Sequence, residues 1–234
     1  MLEEILTQGF ASMGLAPDEQ ALPRYRIYAD YLAEMNKVMN LTAIEGEDEV
    51  ARLHFLDSLS LLTAEELRGK RVIDVGTGAG FPGLALKIAC PEMELTLLDS
   101  LDKRIHFLQE CCERMELRDV VCLHARAEEA PPAYRGRFDF AVSRAVARLN
   151  LLCELCLPLV KKGGAFLAMK GTDHQDELKE AEKAIRLLGG KLERTVDYTI
   201  PGTDITHSIL LIRKVADTSA KYPRRWAQIK KQPL

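Results

Sequence analysis

Three features of the 234-residue sequence predict an α/β fold built on a mostly parallel sheet. Short apolar strands alternate with helical stretches from residue 70 onward, a glycine-rich turn joins the first strand to the first helix, and the N-terminal quarter is helical. In that quarter Tyr25, Tyr28, Leu32 and Met35 keep helical spacing, and Val50, Leu53, Leu56, Leu59 and Leu61 supply an apolar stripe over 48–62. Asn40-Leu41-Thr42-Ala43 between them reads as a turn. The pattern changes at Gly69-Lys70. Strands are expected at 70–75, 94–98, 119–123, 138–142 and 165–169, with helices at 84–89, 103–115, 145–157 and 176–188. Two closing strands near 191–198 and 207–213 read as a hairpin-like pair, giving seven strands with helices on both faces. The expected division is a helical cap over 1–65, a sheet domain over 66–215 and a basic tail over 216–234.

Composition bounds the function class. A chain that is 47% hydrophobic and 29% charged can bury one sizeable core. No apolar run is long enough to span a membrane and no leader-like segment opens the chain, so a cytoplasmic location and no membrane contact are expected. A monomer is expected as well. The six cysteines (90, 111, 112, 122, 153 and 156) sit in apolar or helical stretches and read as reduced core thiols. Cys153-x-x-Cys156 lacks a second pair or a histidine at zinc-finger spacing, so no metal is expected. Net charge is −3, but it is unevenly spread. Residues 1–69 hold 5 basic and 13 acidic side chains, whereas residues 213–234 hold 7 basic and one acidic. The basic end reads equally as a phosphate contact or as a solvated terminus.

The turn Asp74-Val75-Gly76-Thr77-Gly78-Ala79-Gly80 carries the chemistry. Glycines between a strand and a helix allow a tight turn and close backbone approach to a ligand. A dinucleotide fingerprint counted from Gly76 would place a third glycine at position 81, where Phe81 stands, and no phosphate-loop Lys-Ser/Thr follows. The D-x-G-x-G-x-G pattern instead resembles the signature for S-adenosylmethionine (SAM), which has no pyrophosphate. The predicted fold class is thus the Rossmann-like class I SAM-dependent methyltransferase fold with an N-terminal helical extension. Asp74, Gly76, Gly78, Gly80 and Phe81 are the candidate cofactor residues of this turn. Asp99, at the end of the second strand, suits a carboxylate accepting from ribose hydroxyls, or a helix N-cap, or both. Ala127 and Glu128, in the loop after the third strand, are candidates for the adenine side.

The fourth strand ends in Val142-Ser143-Arg144-Ala145, the position that faces the transferred methyl. The Asp/Asn-Pro-Pro-Tyr/Phe motif of amino-methylating enzymes is absent there, as is the cysteine needed for attack on a pyrimidine ring. An acceptor atom that is already nucleophilic is favoured. Arg126, Arg144 and Lys170 follow three strands and are the candidate catalytic cations, expected to cluster. Arg144 also suits a contact to the cofactor carboxylate, or a salt bridge at a helix start. His54 and Asp57, three apart, share one helix face; His54 alone reads first as a surface histidine.

Taken together, these segments resemble the bacterial small-subunit (16S) ribosomal RNA guanine-N7 methyltransferase family, also called the glucose-inhibited division protein B family. The matching stretches include Asn40-Leu41-Thr42, His54-Phe55-Leu56-Asp57-Ser58, the run from Val72 through Gly83, Leu97-Leu98-Asp99-Ser100, Lys103-Arg104, Phe107-Leu108, Arg126-Ala127-Glu128, Ser143-Arg144-Ala145, Pro158-Leu159, Gly163-Gly164, Lys170-Gly171 and Lys221-Tyr222-Pro223-Arg224-Arg225. The resemblance implies methyl transfer from SAM to N7 of one guanine in 16S rRNA. It further implies cofactor contacts at Gly76, Phe81, Ala127, Glu128 and Arg144. Asn40, His54, Arg126, Lys170, Arg224 and Arg225 would lie toward the RNA, as substrate-binding or catalytic positions. The stretch after the paired arginines, beginning Trp226-Ala227-Gln228, departs from that family's usual glycine- and proline-rich ending. The acidic overall charge also leaves a small-molecule methyltransferase, or a binding module on the same fold, as other readings.

Overall fold

The computed structural model describes residues 1–172 and 174–234. Among them, seven strands form one sheet in the order β3-β2-β1-β4-β5-β7-β6. They are β1 (Arg71–Val75), β2 (Glu94–Asp99), β3 (Val120–His124), β4 (Phe138–Arg144), β5 (Val160–Gly171), β6 (Gly190–Thr199) and β7 (Thr206–Lys214). The first five run parallel; β7 lies antiparallel to both β5 and β6. The expected hairpin is therefore present, with its second strand inserted against β5. The strand order reverses between β1 and β4. That switch point opens a crevice at the carboxyl ends of the strands, where ligands bind in open α/β sheets.

Strand side chains alternate between two cores, as the two-residue period requires. Val72, Leu95, Leu97, Val142 and Leu167 join one, while Ile73, Val75, Ala141, Phe166 and Ala168 join the other. The first core is covered by α1 (Leu2–Ser12), α2 (Ala21–Met39), a broken helix α3 (47–64), α4 (Gly83–Ala89) and α5 (Asp102–Arg114). The second is covered by α6 (Leu149–Cys156), α7 (Gln175–Leu187) and α8 (Trp226–Lys231). The N-terminal helices thus share a continuous core with one sheet face. Arg26 ties α1, α2 and α3 together, donating to Glu3 at 2.8 Å and to Glu47 at 3.0 Å. Among the described residues no helix is long and apolar enough to cross a membrane.

Two departures from the sequence expectation border the crevice. The stripe over 48–62 is not one α-helix: it contains a π-helical turn, Val50–Leu56, before the short pieces Asp57–Leu59 and Leu61–Ala64. Such wide turns recur at functional sites because they re-aim side chains. The helix expected from residue 145 begins at Leu149. Ala145 has φ 54° and Arg148 is extended, so residues 145–148 bend away from the end of β4 and edge the crevice.

Candidate cofactor cleft and acceptor-side network

The crevice holds a cavity of about 430 Å³, within the usual range of about 300–1,000 Å³ for small-molecule sites. Gly76, Thr77 and Gly78 line it beside Phe81, Asp99 and Glu128. All three glycines of the turn have positive φ: 74°, 61° and 102° at positions 76, 78 and 80. A Cβ on Gly76 would lie 2.7 Å from the Val146 side chain. A Cβ on Gly80 would lie 2.5 Å from the Tyr28 hydroxyl oxygen, so packing behind the loop leaves no room for one. A Cβ on Gly78 would meet nothing within 4 Å. At Gly78 the loop therefore keeps open space, as a cradle for a ligand requires.

Carboxylates fix the loop from two sides. Asp99, buried at the end of β2, accepts from the Gly78 N–H at 3.0 Å and from the Leu101 N–H at 2.9 Å, and Arg104 lies 3.3 Å away. Helix α5 starts after Leu101 without a side-chain cap, so the anticipated N-cap role of Asp99 is replaced by a tie between two loops. Asp74 lies behind the turn and not on the cavity wall. It is wholly buried, and its Oδ2 accepts from the Thr77 hydroxyl at 2.7 Å and the Gly83 N–H at 2.8 Å. Its Oδ1 has no partner, and burial pushes the carboxyl up to about 6.

Beside the cavity, side chains from distant segments converge on Arg144. Its Nη1 donates to Asp57 Oδ2 at 2.7 Å and to the Leu53 carbonyl of the π turn at 3.0 Å. Its Nη2 donates to His54 Nδ1 at 2.8 Å. A guanidinium can only donate, so His54 Nδ1 is a bare lone pair and the ring proton sits on Nε2. That proton goes to Thr42 Oγ1 at 2.8 Å, which also accepts from the Ile44 N–H. Burial, reinforced by Arg144, drives the imidazole down to about 3, so His54 is neutral and both nitrogens are committed. The ring stacks on Phe81 with centroids 4.2 Å apart. His54 is thus a buried member of the site and not the surface histidine its sequence context suggested. Asp57 Oδ1 accepts from Tyr198 Oη–H at 2.8 Å and from His207 Nδ1–H at 2.9 Å. Burial opposes ionisation of Asp57, but His207, Arg144 and Tyr198 outweigh it and hold the carboxyl below its ordinary range.

A second cavity, also of about 430 Å³, lies on the far side of this wall. His54, Arg144 and Ala145 line both cavities. Asp57, Met169, Lys170, Ile205 and His207 are among the further residues that line the second.

The structure brings together most of the anticipated site, though not in the expected form. Gly76, Gly78, Phe81, Asp99, Ala127, Glu128, Arg126, Arg144 and His54 all border the first cavity. Asp74 and Gly80 lie behind it. Asn40 is the left-handed C-cap of α2, with φ 49°. The three candidate cations do not form an unpaired cluster. Arg144 is spent on Asp57; Lys170 donates to Glu177 at 2.7 Å and to the Ala147 carbonyl; Arg126 stays 53% exposed, 3.8 Å from Glu128. Arg224 is held by the buried Glu154, leaving Arg225 as the exposed member of the pair. Sequence reasoning missed Tyr198, His207 and Trp226. The first two sit on β6 and β7 without a motif, whereas Trp226 had a signal, as the chain's one tryptophan beside two arginines.

Among the described residues no group of side chains is arranged to hold a metal ion, and the cysteines are free.

Comparisons with known proteins agree with this geometry. A family profile described as GidB, rRNA small subunit methyltransferase G, matches residues 21–205. The chain is 48% identical over 236 residues to a ribosomal RNA small subunit methyltransferase G of Alkaliphilus oremlandii, covering 100% of this chain and 99% of that one. It is 44% identical over 235 residues to a protein of the same name from Acetivibrio thermocellus, covering 100% and 97%. Among solved structures it is similar to a SAM-dependent O-methyltransferase from Thermotoga maritima, with TM-score 0.54, 16% identity and coverage of 80% and 72%. It is also similar to TrmN from Thermus thermophilus, with TM-score 0.54 and 21% identity; 68% of this chain matches 48% of that one. At such identities these two support the class I methyltransferase fold alone.

Proposed function

The chain belongs to the GidB family of rRNA small subunit methyltransferase G, and on that premise we propose that it moves the methyl group of SAM to N7 of one specific guanine in 16S ribosomal RNA. The observation that carries this reading is the shared wall: two cavities at the carboxyl ends of the strands meet at His54 and Arg144. The first suits SAM, with Gly76, Gly78 and Phe81 on one side, Asp99 for the ribose hydroxyls, and Ala127 and Glu128 for the adenine. Asp74 and Gly80 would act from behind, by holding the loop. The second cavity suits the acceptor base.

When bound, SAM supplies an electrophilic methyl group on a sulfonium. Guanine N7 carries a lone pair and no proton, so its attack requires no general base. The network matches that economy. Neutral His54 has no free nitrogen, and Arg144 is held rigidly by Asp57 and Leu53. The contribution of the chain is then alignment of the two reactants. Arg144 and Lys170, both anchored, act as positioning cations at the wall and the second cavity. Arg126 and Arg225, both exposed, are the candidate arginines free to meet phosphate, and Asn40 serves by ending α2 in a left-handed turn. The enzyme would work in the cytoplasm, as a monomer.

The test is chemical cleavage at N7-methylguanine in small-subunit rRNA from parent, deletion and complemented strains. One cleavage site should vanish on deletion and return on complementation. Identical patterns in all three strains would refute the assignment.

A further inference from the structure

The C-terminal tail does not hang from the sheet; it is strapped down, and its tryptophan ends on the cofactor cavity. Arg135 donates to the backbone carbonyls of Thr218, Ser219 and Tyr222. Tyr222 and Ile229 are buried in the same core as Leu149 and Leu152 of α6. The tightest tie is Arg224. Its backbone N–H and Nε each donate to Glu154 Oε1 at 2.8 Å, and its Nη2 donates to Oε2 at 2.6 Å. Glu154 is fully buried on α6, so this bidentate pair is no solvated surface bridge. Two residues on, Trp226 packs partly buried against that core and lines the cavity with Leu155, Ala127 and Glu128. Arg225, Lys230 and Lys231 stay exposed.

This arrangement separates two roles in one short segment. Arg224 is consumed internally, which fixes where the next residues go. The ring of Trp226 is then delivered to the side of the cavity bounded by the loop after β3. An indole face beside a ligand cavity is suited to a purine ring, because stacking rewards a flat, polarisable partner. We propose that the C-terminal strap is a built part of the cofactor site, with Trp226 as the aromatic wall against the adenine of SAM and the Arg224–Glu154 pair as the device that positions it. The proposal rests on the SAM part of the reading above and not on the guanine acceptor.

The full-length chain reports on this directly, since Trp226 is its one tryptophan. Titration with S-adenosylhomocysteine, with saturation verified by calorimetry, should change the tryptophan emission in a saturable way. Trp226→Ala should raise the Kd for S-adenosylhomocysteine about tenfold, equivalent to about 1.4 kcal/mol. Trp226→Phe should return it to within about threefold of the parent. Glu154→Gln should weaken binding to an intermediate degree and shift the emission toward that of an exposed indole. Emission unchanged at saturation, or equal Kd values for parent and Trp226→Ala, would overturn the proposal even if rRNA methylation proceeds. A parent chain that fails to bind S-adenosylhomocysteine would overturn it together with the cofactor assignment. Loss of the guanine assignment alone would leave these titrations as expected.

Discussion

The glycine-rich turn and the Arg144 network stand side by side but are built in opposite ways. The loop is determined within one stretch: Asp74, Thr77, Gly78, Gly83 and Asp99 bond to one another across at most 21 residues. Its constraints are local ones: carboxylates no more than 21 residues away, positive φ values and a shortage of room behind Gly80. The network instead joins Thr42, His54 and Asp57 to Arg144, Tyr198 and His207, with up to 150 residues between partners. Its constraints are long-range polar ones, centred on the buried Asp57 carboxylate and the largely buried Arg144. A loop of the first kind should fail locally, position by position. A network of the second kind should fail as a unit, because each group is desolvated on the strength of the others.

Asp57→Ala is the severest test of that contrast. It would strand the guanidinium of Arg144, which is only 15% exposed, and would also take the acceptor from Tyr198 and His207. Removing one member of a buried ion pair costs about 3–5 kcal/mol. A drop of that size in the urea unfolding free energy is expected. The double variant Asp57→Leu with Arg144→Met should recover much of the stability but none of the methylation. A single-variant loss below about 1 kcal/mol would show that the network is not a unit.

The same contrast explains what could be read in the sequence. The glycine turn, Asp99 and the Arg126-Ala127-Glu128 loop could be placed on one cavity from the sequence, because each lies at or just after the end of a parallel strand. His54 and Asp57 were legible as neighbours, since three-residue spacing shares a helix face. Their burial was not, because the partner, Arg144, lies 87 residues beyond Asp57. Tyr198 and His207 were invisible for the same reason: β7 joins the sheet antiparallel between β5 and β6, and only that topology brings them to Asp57. Arg224 and Lys170 look like free cations in a sequence, and only folding reveals Glu154 and Glu177 beneath them. The start of α6 was missed because Ala145 takes up a left-handed conformation that alanine rarely adopts.

A pair of glycine variants sharpens the loop side of the comparison at a smaller scale. Gly80→Ala meets both a φ of 102° and a contact 2.5 Å from Tyr28. It should cost about 1–3 kcal/mol of stability and weaken S-adenosylhomocysteine binding as a consequence. Gly78→Ala has open space, so its cost should be limited to about 1 kcal/mol of backbone strain at φ 61°. Its methyl group would nevertheless stand at the cavity proposed for the cofactor. Calorimetry should find an affinity loss for Gly78→Ala at least as large as for Gly80→Ala, despite the milder thermal destabilisation. Equal ranking of the two variants in stability and affinity would mean that the loop's open space is not where the cofactor sits.

The smallest effect is one of pH, and it sets the two regions against each other. Burial, with Arg144 beside the ring, drives the folded-state proton affinity of His54 from the ordinary 6.5 down to about 3. The unfolded chain takes up that proton first, so this contribution to stability is lost as pH falls below about 6.5. Asp74 behaves in the opposite sense: burial raises it from 3.8 to about 6. Its folded form holds the proton more tightly, so its contribution is complete below about pH 4 and disappears as pH rises through 6. Asp57, held below its ordinary range, adds to the His54 trend only in more acidic solution. Between pH 7 and 5.5 the network and the loop therefore oppose each other, each by on the order of 1 kcal/mol. The parent chain should show a shallow decline in urea stability over that interval. His54→Gln keeps a donor and an acceptor but cannot titrate, so the Asp74 trend is left alone and stability should rise slightly as pH falls. A variant that declines as the parent does would remove His54 as the acid-sensitive member of the network.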